Sequence, residues 1–381
     1  MIRISDKSLC CGCTACATAC PAQCIVMRRD REGFDYPVAN PDLCIGCGKC
    51  EKVCPMLNPP AASAPVEVLA ARSGEHLAGS SSGGVFPELA KSVIEDGGVV
   101  FGAVFESDHK VAHAEASELS EIEAMRGSKY AQSDLYSAFE YINQYLTDGK
   151  KVLFTGTPCQ VAGLNNYLGC NTEGLMTVDF ACHGVPSPGL WEKYVKALEA
   201  RSGGRIRSLS FRDKSRSWRH YCFRHDDVSV EYVDDPYMAL FVQDMSLRPS
   251  CYKCPFRAGR KASDLTLADL WSVAEAAPAF NDDRGASAVF VNTAKGKALV
   301  HSVSMQSVAV SAEAAMRDNG GYSDPAAVPE RREEFFKGVH SASDLIAYMK
   351  GFVVRRPLHQ RIYRKVRRFL SDIKKRIVRG G

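Results

Sequence analysis

No stretch of this 381-residue chain approaches the run of about 18 apolar residues that a membrane span requires, so nothing in it reads as transmembrane. Met1 to Leu9 lacks a basic start followed by an apolar stretch of about 7–15 residues, which argues against a secretory leader and against a disulfide-dominated setting. Excess charge of one sign is also scarce. Forty-eight Lys and Arg stand against 44 Asp and Glu, and the resulting +4 by itself argues neither for nor against nucleic acid. What is present is 45% hydrophobic content, ample for real cores, at a length that suggests about two or three domains.

Cysteine is abundant and unevenly placed: ten of sixteen lie in the first 54 residues. Eight of these repeat one pattern, Cys10-x2-Cys13-x2-Cys16-x3-Cys20-Pro21 and Cys44-x2-Cys47-x2-Cys50-x3-Cys54-Pro55. This is the two-cluster ferredoxin spacing, in which each triplet wraps one 4Fe-4S cube and the fourth cysteine crosses to the other. The expected ligand sets are Cys10, Cys13, Cys16 with Cys54, and Cys44, Cys47, Cys50 with Cys20. Zinc ordinarily takes C-x2-C pairs across longer gaps, and a disulfide framework would need secretion, so both fit poorly. Cys11 and Cys24 read as packing residues. A reducing, cytoplasmic compartment follows as an expectation.

Asn58-Pro59-Pro60-Ala61-Ala62-Ser63-Ala64-Pro65 has the composition of an extended connector, and a domain boundary is expected there. Beyond it, Val99–Phe105, Lys151–Thr155, Leu175–Phe180 and Ala286–Asn292 read as buried strands. Phe86–Glu95, Leu135–Leu146, Gln160–Leu168 and Leu190–Ala200 read as helices, so the body is expected to be mixed α/β. Ile206–Phe211 and Tyr221–Tyr232 look like an antiparallel excursion. The expected division is 1–60 for a dicluster ferredoxin-type module, 66–315 for the α/β body and 316–381 for a helical basic tail.

Several loops carry chemistry-bearing residues. Ser80-Ser81-Ser82-Gly83-Gly84 precedes a helix, where such residues either cap and turn the chain or receive an anion. Thr155-Gly156-Thr157-Pro158-Cys159-Gln160 leaves one strand and opens a helix, the place where ligands meet the carboxyl ends of strands. Cys182 and His183 end another strand, and Cys251-x2-Cys254-Pro255 completes four further cysteines, enough for a third cluster or else two packing residues and a half-site. Cys170 and Cys222 lack partners at ligand spacing. Cys159 and His183 are candidate catalytic residues, His183 alternatively being structural. Lys129 and Arg212-Asp213-Lys214 are read either as binders of a cofactor's negative groups or as solvated loop charges.

Taken together, Ser80–Phe86, Gly127–Gln132, Val152–Leu164, Asp179–Pro188, Phe211–Trp218, Cys251–Phe256 and Ser263–Trp271 resemble the coenzyme F420-reducing hydrogenase/dehydrogenase beta-subunit family, here fused to a dicluster ferredoxin over roughly residues 1–300. The resemblance implies FAD, electrons passing between iron–sulfur clusters and flavin, and, in methanogens, hydride exchange with the deazaflavin coenzyme. It assigns Ser81, Ser82, Gly83 and Gly84 to the flavin phosphates, Lys129 and Thr155, Gly156, Thr157 nearby, and Cys159, Cys182, Cys251, Cys254 to a third 4Fe-4S cluster. Ala268 and Ser272 stand where glycines often flank the family's Asp-x-Trp, which narrows the approach of any ligand and argues against the deazaflavin. Relatives of this layout resemble proteins of cell-surface polysaccharide biosynthesis, so a small-molecule or sugar-linked acceptor is expected.

The expected activity is that of an FAD-dependent iron–sulfur oxidoreductase. The alternatives are a non-catalytic electron-transfer subunit served by a redox partner protein, and a redox-sensing interaction protein. From Arg355 to Arg379 eleven Lys and Arg accompany one Asp372, with Ile362, Val366, Phe369, Leu370, Ile373 and Ile377 on one helical face. That basic amphipathic helix is expected either at an anionic membrane surface or docked on protein, with no nucleic acid partner.

Overall fold

The computed structural model describes residues 1–355. The basic amphipathic helix expected beyond Arg355 lies outside the described residues.

The N-terminal module is two copies of one loop, each followed by a single helical turn: α1 (Ala15–Thr18) and α2 (Lys49–Lys52). The copies share an unusual backbone. Gly12 and Gly46 sit at φ 71° and 69°, and the residues before the helices, Thr14 and Gly48, at 61° and 71°. These left-handed positions curl each Cys-x-Gly-Cys segment so that its thiols turn inward. Between the copies runs an antiparallel hairpin, β1 (Ile25–Arg29) and β2 (Asp35–Ala39), paired from Ile25–Ala39 to Arg29–Asp35.

The body is built on an eight-stranded mixed sheet. Its strands are β3 (Glu67–Arg72), β4 (Val99–Phe105), β5 (Val111–Ala116), β6 (Val152–Thr155), β7 (Leu175–Phe180), β11 (Leu265–Asp269), β12 (Ser287–Val291) and β13 (Gln306–Ala309), in the order β13-β3-β12-β11-β7-β6-β4-β5. The missing numbers, β8 (Leu209–Asp213), β9 (Cys222–His225) and β10 (Val228–Glu231), form a separate antiparallel sheet, the excursion read in the sequence. The central strands β4, β6, β7 and β11 are parallel, so their carboxyl ends open on one edge.

Helices cover both faces: α3 (Val85–Glu95), α4 (Ile122–Met125), α5 (Ala138–Thr147), α6 (Pro158–Leu168), α7 (Pro188–Ser202) and α8 (Pro236–Val242). The starts of α6, α7 and α8 have one physical cause. Thr157, Ser187 and Asp235 each accept a backbone N–H of the first turn while a proline occupies its opening, where no N–H is needed. In α3 the buried Val85, Leu89, Ala90 and Val93 make the inward stripe.

Two close approaches dock the module on the body. Gly33 of the hairpin lies against Gly189 of α7, where a Cβ on either would meet the other's Cα at 2.7 Å, and the Gly189 N–H donates to the Gly33 carbonyl at 3.2 Å. Arg332 from a C-terminal helix grips Glu32 with two hydrogen bonds, Nη1 to Oε1 at 2.9 Å and Nη2 to Oε2 at 2.6 Å. Phe34 enters the aromatic core around Trp191, Phe211, Phe223 and Tyr237, so module and body share one hydrophobic cluster. Among the described residues no helix is long and apolar enough to cross a membrane.

Candidate metal centres and the adjoining cleft

The eight N-terminal cysteines divide between two cavities. Cys10, Cys13, Cys16 and Cys54 line one, with Cys11 beside them, walled by Ile2, Ile4, Leu9, Met27 and Pro37. Cys20, Cys44, Cys47 and Cys50 line the other, with Cys24, beside Met1, Ile25 and Ile45. Each cavity draws three thiols from one run and the fourth from the other. No three His, Cys, Asp or Glu side chains among the described residues converge closely enough for a single ion. Four thiols spread round a largely apolar cavity fit a cubane, whose metal–sulfur core fills the middle, better than a zinc ion with sulfurs about 3.8 Å apart. Burial pushes the Cys16 thiol up to about 12, with the neighbouring Cys10 and Cys54 adding to it.

The cavities differ in their surroundings. Cys10, Cys13, Cys16 and Cys54 are all buried, whereas Cys47 is exposed, Cys20 and Cys44 are half-buried, and Ile45 is 69% exposed. One site faces the body and the other faces solvent.

The remaining candidate quartet assembles at the carboxyl edge of the sheet. Cys159 opens α6 just past β6, Cys182 follows β7, Cys251 sits on the 3-10 turn Pro249–Lys253 and Cys254 caps that turn's end. The thiols feel one another: burial pushes Cys182 up to about 12, with Cys159 and Cys254 contributing, and Cys251 rises through burial and then Cys182. The Val185 N–H points at Cys251 Sγ, 3.4 Å away. Cys11 interacts with both Cys13 and Cys159, so it stands between the inner N-terminal cavity and this quartet. Its spacing in the sequence gave no sign of that position.

Beside this edge lies a cluster of cations and serine-bearing turns. Ser81 Oγ accepts the Ser128 N–H at 2.8 Å, Ser82 Oγ donates to the Ala286 carbonyl at 2.9 Å, and the Gly83 N–H donates to Ser287 Oγ at 3.0 Å. Gly84, at φ 78°, begins α3 with no side-chain cap, which leaves the first-turn N–H groups of an eleven-residue helix open to an anion. Lys129 directs Nζ at the carbonyls of Ala124, Arg126 and Gly127, and burial alone lowers its ammonium to about 7. Its donors are therefore committed to its own turn. Thr155 accepts from His113 Nε2, Gly156 N–H donates to Val178, and Thr157 with Gln160 closes a reciprocal cap on α6, so this loop's polar groups are largely engaged by the fold.

Two of these cations are less fully satisfied. Lys214 Nζ donates to the Ser82 and Arg284 carbonyls, and burial followed by the charge of Arg212 lowers it to about 8. Arg212 is 5% exposed at its side chain, bonds Asp269 Oδ2 through Nη1, and leaves Nε and Nη2 without partners between the rings of Tyr221 and Trp271. Buried guanidinium donors left open among cations fit a phosphate-bearing, planar cofactor. His183 sits apart, its Nε2 2.7 Å from Asp244 Oδ1 and its ring edge-on to Phe241.

Residues 9–57 match a 4Fe-4S dicluster domain, residues 36–112 match a second 4Fe-4S dicluster description, and residues 149–315 match the C terminus of the coenzyme F420 hydrogenase/dehydrogenase beta subunit. A chain of the xenon-derivatised F420-reducing [NiFe] hydrogenase complex from Methanosarcina barkeri superposes with a TM-score of 0.48 at 16% identity, over 74% of this chain and 95% of that one. No curated protein matches. The chain thus joins a stretch that matches 4Fe-4S dicluster domains to a body whose residues 149–315 match the C terminus of the coenzyme F420 hydrogenase/dehydrogenase beta subunit.

Proposed function

We propose that this chain is an iron–sulfur electron-transfer subunit that accepts electrons from a partner protein at its outer cysteine quartet and delivers them into the α/β body. The supporting observation is the pair of cavities, each of which holds three cysteines of one repeated run and the fourth of the other, with Cys11 or Cys24 beside them. Held there, 4Fe-4S clusters supply one-electron transfer. The contrast in exposure supports the order of sites along that path. Cys47 and Ile45 face solvent, Cys10, Cys13, Cys16 and Cys54 face inward, and Cys11 touches Cys159 of the third quartet, which we assign as a further cluster site. We divide the chain at the unstructured connector 59–65 and after residue 315.

A second reading, favoured by the orphaned Arg212 donors and the uncapped start of α3, adds FAD beside them and a small organic acceptor, which makes the chain an oxidoreductase in its own right. There Gly83 and Gly84 give backbone access to the flavin phosphates, and Arg212 and Lys214 supply positive charge. Ala268 and Ser272 crowd the approach, and a sugar-linked acceptor rests on family resemblance alone. Reduced, oxygen-protected protein distinguishes the two. A relay has no flavin absorbance and is reoxidised only by a protein acceptor, whereas an oxidoreductase carries flavin and is reoxidised by a soluble small molecule. Protein that takes up no electrons overturns both.

A further inference from the structure

Arg248 is 1% exposed, and the groups around it are neutral oxygens, rings and a sulfur. Its Nε donates to the Cys10 carbonyl at 2.7 Å, Nη1 to Gln132 Oε1 at 2.9 Å, and Nη2 to the Asp35 carbonyl at 2.8 Å and towards Cys10 Sγ at 3.7 Å. The rings of Tyr36 and Phe34 lie 4.2 and 5.3 Å from its carbon centre. No carboxylate is among its ion-pair partners within the described residues. A buried guanidinium without a counter-ion is costly, because its desolvation is not offset by an opposite charge. Among the nearby groups able to carry negative charge, the Cys10 thiol of the inner quartet acts most strongly on it, ahead of Tyr36, Cys11 and Cys251.

The N-terminal repeat provides an internal control. Gly12 and Gly46 are equivalent positions with almost the same φ, yet their surroundings differ. A Cβ on Gly12 would stand 2.6 Å from Arg248 Nη1 and 2.8 Å from Gln132 Nε2, whereas one on Gly46 meets nothing within 4 Å. Gln132 Nε2 also donates to the Cys11 carbonyl at 2.9 Å, so the pair clamps residues 10–12 of one copy only. Arg248 belongs equally to the body, since its carbonyl accepts the N–H of Cys251 at 2.9 Å.

Adding one electron to a thiolate-ligated cluster adds negative charge, which burial opposes and which a fixed cation with N–H to sulfur contacts favours. We propose that Arg248 is the potential-setting residue of the Cys10, Cys13, Cys16, Cys54 centre, where it offsets the burial that would otherwise make that centre hard to reduce and sets it apart from the solvent-facing one. The step concerned is uptake of one electron from an external one-electron donor, with no bond made or broken. This rests on the cluster assignment above.

The test is a potentiometric titration of the full chain followed by electron paramagnetic resonance, with iron content measured on each sample. Arg248→Met is expected to shift the midpoint of the inner centre to more negative potential and leave that of the solvent-facing centre in place. Arg248→Lys, which keeps the charge but loses the planar fork, is expected to shift the same midpoint less. If Arg248→Met binds less iron than the parent, Gln132→Leu decides: it removes the acceptor that orients Nη1, keeps the charge, and is expected to give a smaller shift of the same sign. Midpoints that stay unchanged, or that move together, at parental iron content overturn the proposal. A parent protein without two reducible centres overturns the cluster assignment itself.

Discussion

Gly163 of α6 lies directly on Cys13: a Cβ at residue 163 would stand 2.9 Å from Cys13 Sγ and 3.1 Å from its Cβ. Two terms of opposite sign meet there. Helix propensity alone favours Gly163→Ala by about 1 kcal/mol, whereas overpacking against an atom held in place costs about 1–3 kcal/mol. Because Cys13 Sγ lines the inner cavity, the steric term is expected to win and to lower iron content as well as the melting temperature. An alanine variant that is more stable than the parent and equally rich in iron would mean that the module does not pack on α6 as described.

The crossing of the fourth cysteines predicts a pairing rule. Cys20→Ala combined with Cys44→Ala strikes one cavity and is expected to remove about four irons, while Cys20→Ala combined with Cys16→Ala strikes both and is expected to remove about eight. Iron assay and the resonance spectrum of the surviving centre check this. The opposite ranking would assign each run to its own cluster.

His113 is buried against Phe154, with Nε2 paired to the Thr155 carbonyl at 2.8 Å and Nδ1 without a partner. Burial lowers its pKa to about 4, so between about 6.5 and 4 the unfolded chain binds the extra proton and the folded one does not. The stability this neutral ring contributes is full above pH 6.5 and is lost as pH falls through that window, by about 3 kcal/mol at most. His113→Gln, which retains a donor for Thr155, is expected to show a flatter denaturant-measured stability from pH 6.5 to 4. Identical slopes in the two proteins would contradict the burial argument.

Asp269 compensates Arg212 where both are largely shielded, and it lies 3.3 Å from Trp218 Nε1. Asp269→Ala is expected to destabilise by about 3–5 kcal/mol because it strands the guanidinium. The double change Arg212→Met with Asp269→Ala is expected to cost less than Asp269→Ala alone, as read from urea midpoints at unchanged slope. Additive losses would show that the two side chains are not coupled.

Much of this arrangement was legible in the residues, for identifiable reasons. Val99–Phe105 and Leu175–Phe180 are apolar runs bounded by turns, and α6 and α7 announce themselves by a Thr or Ser before proline. β3 and β13 escaped because Glu67–Arg72 is short and alanine-rich while Gln306–Ala309 is exposed throughout, so neither carries a clear period. Arg212 looked like a loop charge and proved buried, since its shielding comes from Tyr221 and Trp271 on other segments. The approach of Arg248 to Cys10 spans 238 residues, and no local pattern encodes it. Cysteine spacing gave the expected ligand sets, but the contrast between a buried and an open cavity is a product of docking.

The most direct test of the account is iron and acid-labile sulfide per polypeptide in protein purified without oxygen. Two filled cavities require about eight of each, and about twelve if the third quartet is filled as well, with a broad brown absorbance that bleaches on reduction. Colourless protein, or protein with zinc in place of iron, would contradict it.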